Sequence, residues 1–412
     1  MIKMRRTLFY ILFTCLFITH IDAKTRKAVF IIVDGVPADQ LERLKPTAIF
    51  DIASTGAYAR AYTGGEVGSY TETPTISAPG YTNLITATWA YKHNVRGNSD
   101  LKPNYNYWSP FRIAKEQNRN YKTAIFSSWE DNRTVLVGEG KDETNNLHID
   151  YIKDGYDNDT VRFPKQKNDL QIFKIDELVS KEAANCIRNE APDLSWVYLW
   201  YTDDAGHIYG NSDYFDEYVI KADHQVGRIW EAVKYREANF DEEWMIVVTT
   251  DHGRTDNGYG HGGQSERERT TWVSTNIEVN DYFNSKHLAI IDIAPSIYRY
   301  MGFSIPEAVK CEQDGISFVG KTDIFNLVSK TDLDNNSVTL SWDFFTKDIP
   351  VEIYVSTTNN FKEGRNDEWI KIASTRSDKK VYTIDLNALP SSDIYKFVLK
   401  SPNTHLNRWV IK

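Results

Sequence analysis

A chain of 412 residues with 41% hydrophobic and 25% charged content holds one large folded unit and a smaller one, outside the disordered and collagen-like classes. The formal net charge of −9, with no basic run, argues against a nucleic-acid polymer as partner, and three cysteines do not make a disulfide scaffold. The aromatic share of 13%, with 11 Trp and 24 Tyr, suits carbohydrate or base stacking and suits an aromatic core equally well.

At the start, Lys3, Arg5 and Arg6 precede an apolar run from Leu8 to Ile21 and the small residue Ala23. This is the pattern of a secretory signal over 1–23. The run of about 14 residues is shorter than the roughly 20 that span a bilayer, so no stable membrane span is expected. The product is expected to be exported: secreted, periplasmic or at the cell surface. Removing residues 1–23 leaves a net charge of about −11, and leaves Cys186 and Cys311, which could pair in an oxidising compartment.

Three continuous apolar runs then end in acids. "KAVFIIVDG" (27–35) ends at Asp34, "SWVYLWYTDDAGH" (195–207) at Asp203 and "WMIVVTTDHG" (244–253) at Asp251. Such runs suit strands buried on both faces. Between the last two, Val219, Ala222, Val226, Ile229 and Val233 recur at helical spacing within 214–236. Strands alternating with helices predict an α/β fold, a doubly wound and mostly parallel sheet over 24–325, with ligands at the carboxyl ends of the strands. Residues 326–336, "NLVSKTDLDNN", read as a polar linker. Short alternating segments after it, beginning with Val338, Leu340 and Trp342, predict a small all-β sandwich over 337–412, resembling fibronectin type III.

Singly, the polar residues at these strand ends have ordinary explanations: Asp34 could cap the next helix, and His261 could be a loop histidine. Together, Asp34, Asp203 and Asp251 with His207, His252 and His261 make two sets of nitrogen and oxygen ligands suited to Zn2+. Asp203 and His207 are four apart, able to face one way from a helical turn. The glycines at 253, 258, 260, 262 and 263 let the chain fold His261 back beside the same strand end. Two metals would clamp the attacking and leaving oxygens of a phosphoryl displacement. For the nucleophile, "ETPTISAPGYTNLITATW" (72–89) offers Ser77, with Thr75 and Thr73 beside it, just before Tyr81, Leu84, Ile85 and Trp89 at helical spacing. A serine there could equally serve as a helix cap.

These motifs resemble the alkaline phosphatase superfamily over residues 27 to about 320, and within it the nucleotide pyrophosphatase/phosphodiesterase branch. "PTISAPG" and "HNVRGN" (93–98) stand in the order of that branch's nucleophile and phosphate-contact segments. The resemblance implies Ser77 as nucleophile, Asn98 as phosphate contact and a structural role for His93. It implies one zinc on Asp203, His207 and His261, and another on Asp34, Asp251 and His252 with Ser77 Oγ. "IDIAPSIYRYMGF" and "DGISF" (314–318) resemble the segments that close the fold.

The chain also departs from the branch. Eight residues separate His252 from His261, a compact spacing that resembles the GPI ethanolamine-phosphate transferases. Ala78 replaces the aromatic residue after the nucleophile, leaving Trp89, Trp129, Tyr201 or Tyr209 as stacking platforms. Tyr81 stands where a sulfatase would carry arginine, and Trp129 lies where a phosphomonoesterase would place basic residues. The expected function is therefore an exported two-zinc phosphodiesterase that acts on a small-molecule diester, of nucleotide or phospholipid/glycan head-group type, through a phosphoserine. Phosphomonoesterase, ethanolamine-phosphate-type transferase and sulfatase-like hydrolase are the alternatives, and a non-catalytic binding protein is the rival class. The sandwich is expected to contact glycan or to pack on the catalytic unit.

Overall fold

The apolar runs become neighbouring strands in the computed structural model, which describes residues 24–412. The expected signal segment, 1–23, lies outside the described residues. Seven strands form the main sheet: β1 (Thr25–Val33), β2 (Ala57–Tyr62), β3 (Thr123–Ser127), β4 (Tyr151–Lys153), β5 (Leu194–Leu199), β6 (Glu242–Thr249) and β7 (Thr270–Thr275), in the order β2-β7-β6-β1-β5-β3-β4. β6, β1, β5, β3 and β4 run parallel, and β7 pairs antiparallel with both β6 and β2.

β1 shows why its sequence carries no polar alternation. Ala28, Phe30 and Ile32 enter the apolar cluster on one face, and Val29, Ile31 and Val33 enter the cluster on the other. Helices Leu170–Asn189 and Asp213–Asn239 cover the second face, and Ser77–Thr86 and Ile293–Met301 cover the first. The register sets Val33 beside Leu199 and Ile32 beside Thr249, so the segments after β1, β5 and β6 emerge side by side. Chain order jumps from β1 to neighbours on both sides here, the switch point where such sheets gather ligands. Among the described residues no helix is long and apolar enough to cross a membrane. Cys186 and Cys311 are unpaired.

The C-terminal strands are β8 (Ile324–Asp332), β9 (Ser337–Phe344), β10 (Pro350–Ser356), β11 (Ile370–Arg376), β12 (Val381–Asp385), β13 (Ile394–Lys400) and β14 (His405–Ile411). They form two antiparallel sheets, β12-β9-β8 and β11-β10-β13-β14. Residues 326–332 are thus not linker, as their composition suggested, but most of an edge strand that pairs with β9 through a tight turn. An edge strand buries little, so polar side chains suffice and the apolar alternation disappears.

Two lysines with no exposed side-chain surface join the C-terminal sheets to the main unit. Lys92 Nζ donates to Asp314 Oδ1 (2.7 Å) and to Asn407 Oδ1 (2.9 Å). Lys396 Nζ donates to Asp367 Oδ2 (2.6 Å) and to Glu312. The Trp409 ring lies under both ammonium groups, 5.3 and 4.8 Å from its centroid.

His93, fully buried, ties helix Ser77–Thr86 to the loop after it. Its Nδ1 accepts from the Val95 N–H (3.1 Å), which makes Nε2 the donor to Asn83 Oδ1 (2.8 Å). Burial lowers its pKa to about 3. The unfolded chain therefore takes up a proton below about 6.5 that the folded chain refuses, and stability is lost as pH falls from that value towards 3. We expect His93→Gln to flatten the pH dependence of unfolding free energy by up to about 1.4 kcal/mol per pH unit in that window, measured by urea titration.

Candidate active site

Each strand end delivers a carboxylate. Asp34 follows β1, and its Oδ2 accepts hydrogen bonds from the Tyr81 hydroxyl and from the Tyr198 hydroxyl (2.7 Å). Asp251 follows β6, and its Oδ1 accepts from the Gly35 N–H (3.2 Å). Asp203 lies in the first turn of helix Tyr201–Tyr209, and His207 one turn on brings Nε2 to 3.2 Å from Asp203 Oδ2. His252 Nε2 lies 3.2 Å from Asp251 Oδ2 and 3.5 Å from Asp34 Oδ1.

The glycine loop returns His261 to this cluster. The Thr255 N–H donates to Gly260 O (2.7 Å), closing the loop on itself. Gly258 has φ +80°, and a Cβ there would meet the Asn211 nitrogen at 2.5 Å. His261 stacks on His252 with centroids 3.8 Å apart, and its Nε2 reaches 3.0 Å from His207 Nε2 and 3.7 Å from Asp203 Oδ1.

Backbone carbonyls set all three imidazoles. His207 Nδ1 is bonded to Tyr259 O (2.8 Å), His252 Nδ1 to Gly253 O (2.9 Å) and His261 Nδ1 to Thr75 O (2.9 Å). A carbonyl only accepts, so each Nδ1 carries a proton and each Nε2 is turned inward, where, free of a proton of its own, it could bind a metal.

Ser77 opens helix Ser77–Thr86, but the N-cap is Ile76, so Ser77 is not the cap that its sequence position allowed. Its Oγ lies 3.4 Å from His252 Nε2. The neighbouring hydroxyls are committed elsewhere: Thr73 Oγ1 donates to Thr71 O and Thr75 Oγ1 to Gly263 O. Gly80 brings the helix against β6, since a Cβ there would lie 2.9 Å from Asp251 Cβ. Asn98 Oδ1 accepts from the N–H of Ala78, the residue after Ser77 (2.9 Å). All eight residues singled out in the sequence thus gather at one end of the sheet.

Sequence reasoning missed Arg254 and Tyr198. Arg254 is fully buried; Nη1 bonds Asp203 Oδ1 (2.5 Å) and Nε bonds Gly258 O (2.6 Å), so one guanidinium pins both a carboxylate and the glycine loop. Gly206 makes room for it, because a Cβ there would lie 2.4 Å from Arg254 Cζ. Nothing in "DHGR" distinguishes this arginine from a solvated one. Of the four aromatic residues expected as platforms, Trp89 and Tyr201 are buried in packing, while Trp129 and Tyr209 keep part of their surface.

Electrostatics set the carboxylates apart. Burial, then repulsion from Asp203, raises Asp34 to about 7, and burial with both neighbouring carboxylates raises Asp251 well above the usual range. Burial pushes Asp203 the same way, but Arg254 and the histidines outweigh it and hold Asp203 well below. Burial lowers His252 and His261, and the Asp203 hydrogen bond raises His207. Asp34 Oδ1 and Asp251 Oδ2 are buried with no hydrogen-bond partner. Two orphaned carboxylate oxygens among inward-facing imidazole nitrogens are what a divalent cation would satisfy. Ligand atoms of Asp203, His207 and His261 lie within 4.8 Å of one another, as do those of Asp34, Asp203 and His252, so these clusters could hold metal with Asp203 at their junction.

A family model described as type I phosphodiesterase / nucleotide pyrophosphatase matches residues 28–296. The chain belongs to that family. It is accordingly a phosphoric ester hydrolase of the alkaline phosphatase superfamily. No curated protein matches the chain. Among solved structures, Ps i-CgsB is similar at 14% identity and TM-score 0.52, over 89% of this chain and 87% of that one, a likeness of fold. An inactive variant of murine ectonucleotide pyrophosphatase / phosphodiesterase 5 in complex with AMP shares 12% identity at TM-score 0.49, over 68% of this chain and 96% of that one. BT1596, a 2-O GAG sulfatase, shares 12% at TM-score 0.49, over 89% and 86%.

In this phosphodiesterase family member the buried Arg254–Asp203 pair yields a stability test. Arg254→Met strands a buried carboxylate and is expected to cost about 3–5 kcal/mol in urea unfolding of the metal-free protein. Arg254→Lys is expected to recover less than half of that, because an ammonium cannot reach both Asp203 and Gly258 O.

Proposed function

We infer that the protein is an exported phosphodiesterase that transfers a phosphoryl group to Ser77 and then to water. The observation that carries this reading is Ser77 Oγ beside His252 Nε2, at the centre of inward-turned imidazoles and unpartnered carboxylate oxygens. The donor set suits two Zn2+ ions, one on Asp203, His207 and His261 and one on Asp34, Asp251, His252 and Ser77 Oγ. Bound there, they supply Lewis-acid charge that acidifies the serine hydroxyl and offsets charge on the departing oxygen.

The protein's own groups do the rest. Ser77 Oγ forms the bond to phosphorus as the bond to the leaving alcohol breaks; the other alcohol stays on the phosphoserine, and water then cleaves the serine–phosphorus linkage to release a phosphomonoester and restore the serine hydroxyl. The Asn98 carboxamide, held by the Ala78 N–H, presents its NH2 to a non-bridging oxygen. The same site with an acceptor alcohol in place of water is a transferase. Trp129 supports the diester preference: it packs edge-on against Tyr81 at the end of β3, where a phosphomonoester would need a cation.

The N-terminal pattern over 1–23 supports export. In the C-terminal unit, Tyr395 OH on β13 donates to Pro390 O (3.1 Å), a tyrosine corner of the immunoglobulin-like sandwiches, which supports the fibronectin type III-like reading. Its Trp409 is spent against the main unit, which favours packing over glycan contact.

Zinc-loaded protein is expected to hydrolyse bis-p-nitrophenyl phosphate faster than p-nitrophenyl phosphate and to lose that activity in Ser77→Ala. Monoester preference would move the reading to a phosphatase, and inactivity towards both would move it to a transferase. Metal analysis after dialysis is expected to give two zinc ions per chain in the wild type and fewer in His261→Ala; no zinc in the wild type would sink the site.

A further inference from the structure

Asn98 sits on the loop between helices Ala90–His93 and Pro110–Gln117, and it is exposed. The unit that carries Ser77 holds this loop through His93 and Tyr105, and the C-terminal unit grips it a second time at both ends. Past Asn98, Asn104 Nδ2 and Asn106 Nδ2 both donate to Lys362 O, at 2.8 and 3.1 Å. Tyr107, 4% exposed, packs on Phe361 with centroids 5.4 Å apart, in a small apolar cluster of its own with Val309. Before Asn98, Lys362 Nζ donates to Tyr91 O (3.3 Å), and Lys92 reaches Asn407 on β14. The loop ends are also tied to each other, the Asn104 N–H donating to His93 O (2.9 Å).

The gripping turn is itself anchored. Phe361 and Lys362 lie in the short helix Asn360–Glu363 between β10 and β11. Asp367 Oδ1 accepts from the Asn360 N–H (2.7 Å), while its Oδ2 takes Lys396 Nζ (2.6 Å), which in turn bonds Glu312 of the main unit. A continuous path of polar contacts, buried at Lys396, thus runs from the junction to the turn that grips the loop.

We propose that the C-terminal sheets are a clasp that positions Asn98, with Phe361 as the positioning residue. Asn98 keeps its place by the Ala78 N–H bond, by Val95 and Leu101 packed on the main core, and by the two ends of its loop, to each of which the clasp adds a tie. This extends the reading of Asn98 as the phosphate contact and rests on it for its kinetic consequence. The clasp itself stands on contacts alone.

Two measurements on the full chain test it. Phe361→Ala, and separately the pair Asn104→Ala with Asn106→Ala, should speed hydrogen exchange over 94–103, with Phe361→Leu closer to wild type. Ile384→Ala, buried on β12 away from the loop, is the control for general loss of stability and should leave that exchange and the activity unchanged. In a double-mutant cycle on bis-p-nitrophenyl phosphate, Phe361→Ala should lower kcat roughly five- to thirty-fold with little change in KM, and less than about two-fold once Asn98→Ala is present. Equal losses in both backgrounds would overturn the positioning role. Unchanged exchange over 94–103 would overturn the clasp whatever the kinetics. Should the wild type hydrolyse no ester, the functional reading fails on its own, and the exchange measurement alone decides the clasp.

Discussion

Mutual repulsion among Asp34, Asp203 and Asp251 is the constraint around which the molecule is built. The parallel register leaves no choice about their approach: with Val33 beside Leu199 and Ile32 beside Thr249, whatever follows the three strands shares one desolvated space. Each carboxylate has its own relief. Asp203 has Arg254, Asp34 has two tyrosine hydroxyls, and Asp251 has one backbone N–H and an oxygen left over. Small residues make these reliefs sterically attainable. A Cβ on Gly35 would collide with Asp203 Oδ1 at 2.5 Å, and one on Gly206 would occupy the arginine's place.

The imidazoles complete the design by being unable to do anything else. Each is fixed by a carbonyl from a different part of the chain: the glycine loop for His207, its own turn for His252, and the segment before Ser77 for His261. The bond from His261 to Thr75 O joins the loop to the segment carrying Ser77, so the candidate metal ligands and Ser77 keep a common frame.

Much of this was legible in the sequence, and the reason is burial. Strands covered on both faces read as unbroken apolar runs, and charges at their ends stand out, so β1, β5, β6 and the acids after them were plain. The compact spacing of His261 and its glycines gave the loop. What escaped was whatever resembles ordinary surface. Arg254 is one charged residue among 48 Lys and Arg, and only its depth in the fold marks it. Asp223, in mid-helix where a solvated face is the default, is 2% exposed and accepts the Ala48 and Ile49 N–H groups, a tertiary cap with no local signature. β8 escaped because strand edges are polar for the same reason that linkers are.

That last strand bears on how such a protein can be divided. The polar texture of 326–336 marks it as a natural place to cut, whether for a recombinant fragment or for exchange of modules between proteins. A cut there would fall inside a hydrogen-bonded ladder, strip β9 of one of its two partners and leave an unpaired edge open to a second chain. The usable seam lies just before Ile324. Even there the halves part only by exposing Lys92 and Lys396, which find their counter-charges across the junction or beside it. The two units are separable in topology but not in charge.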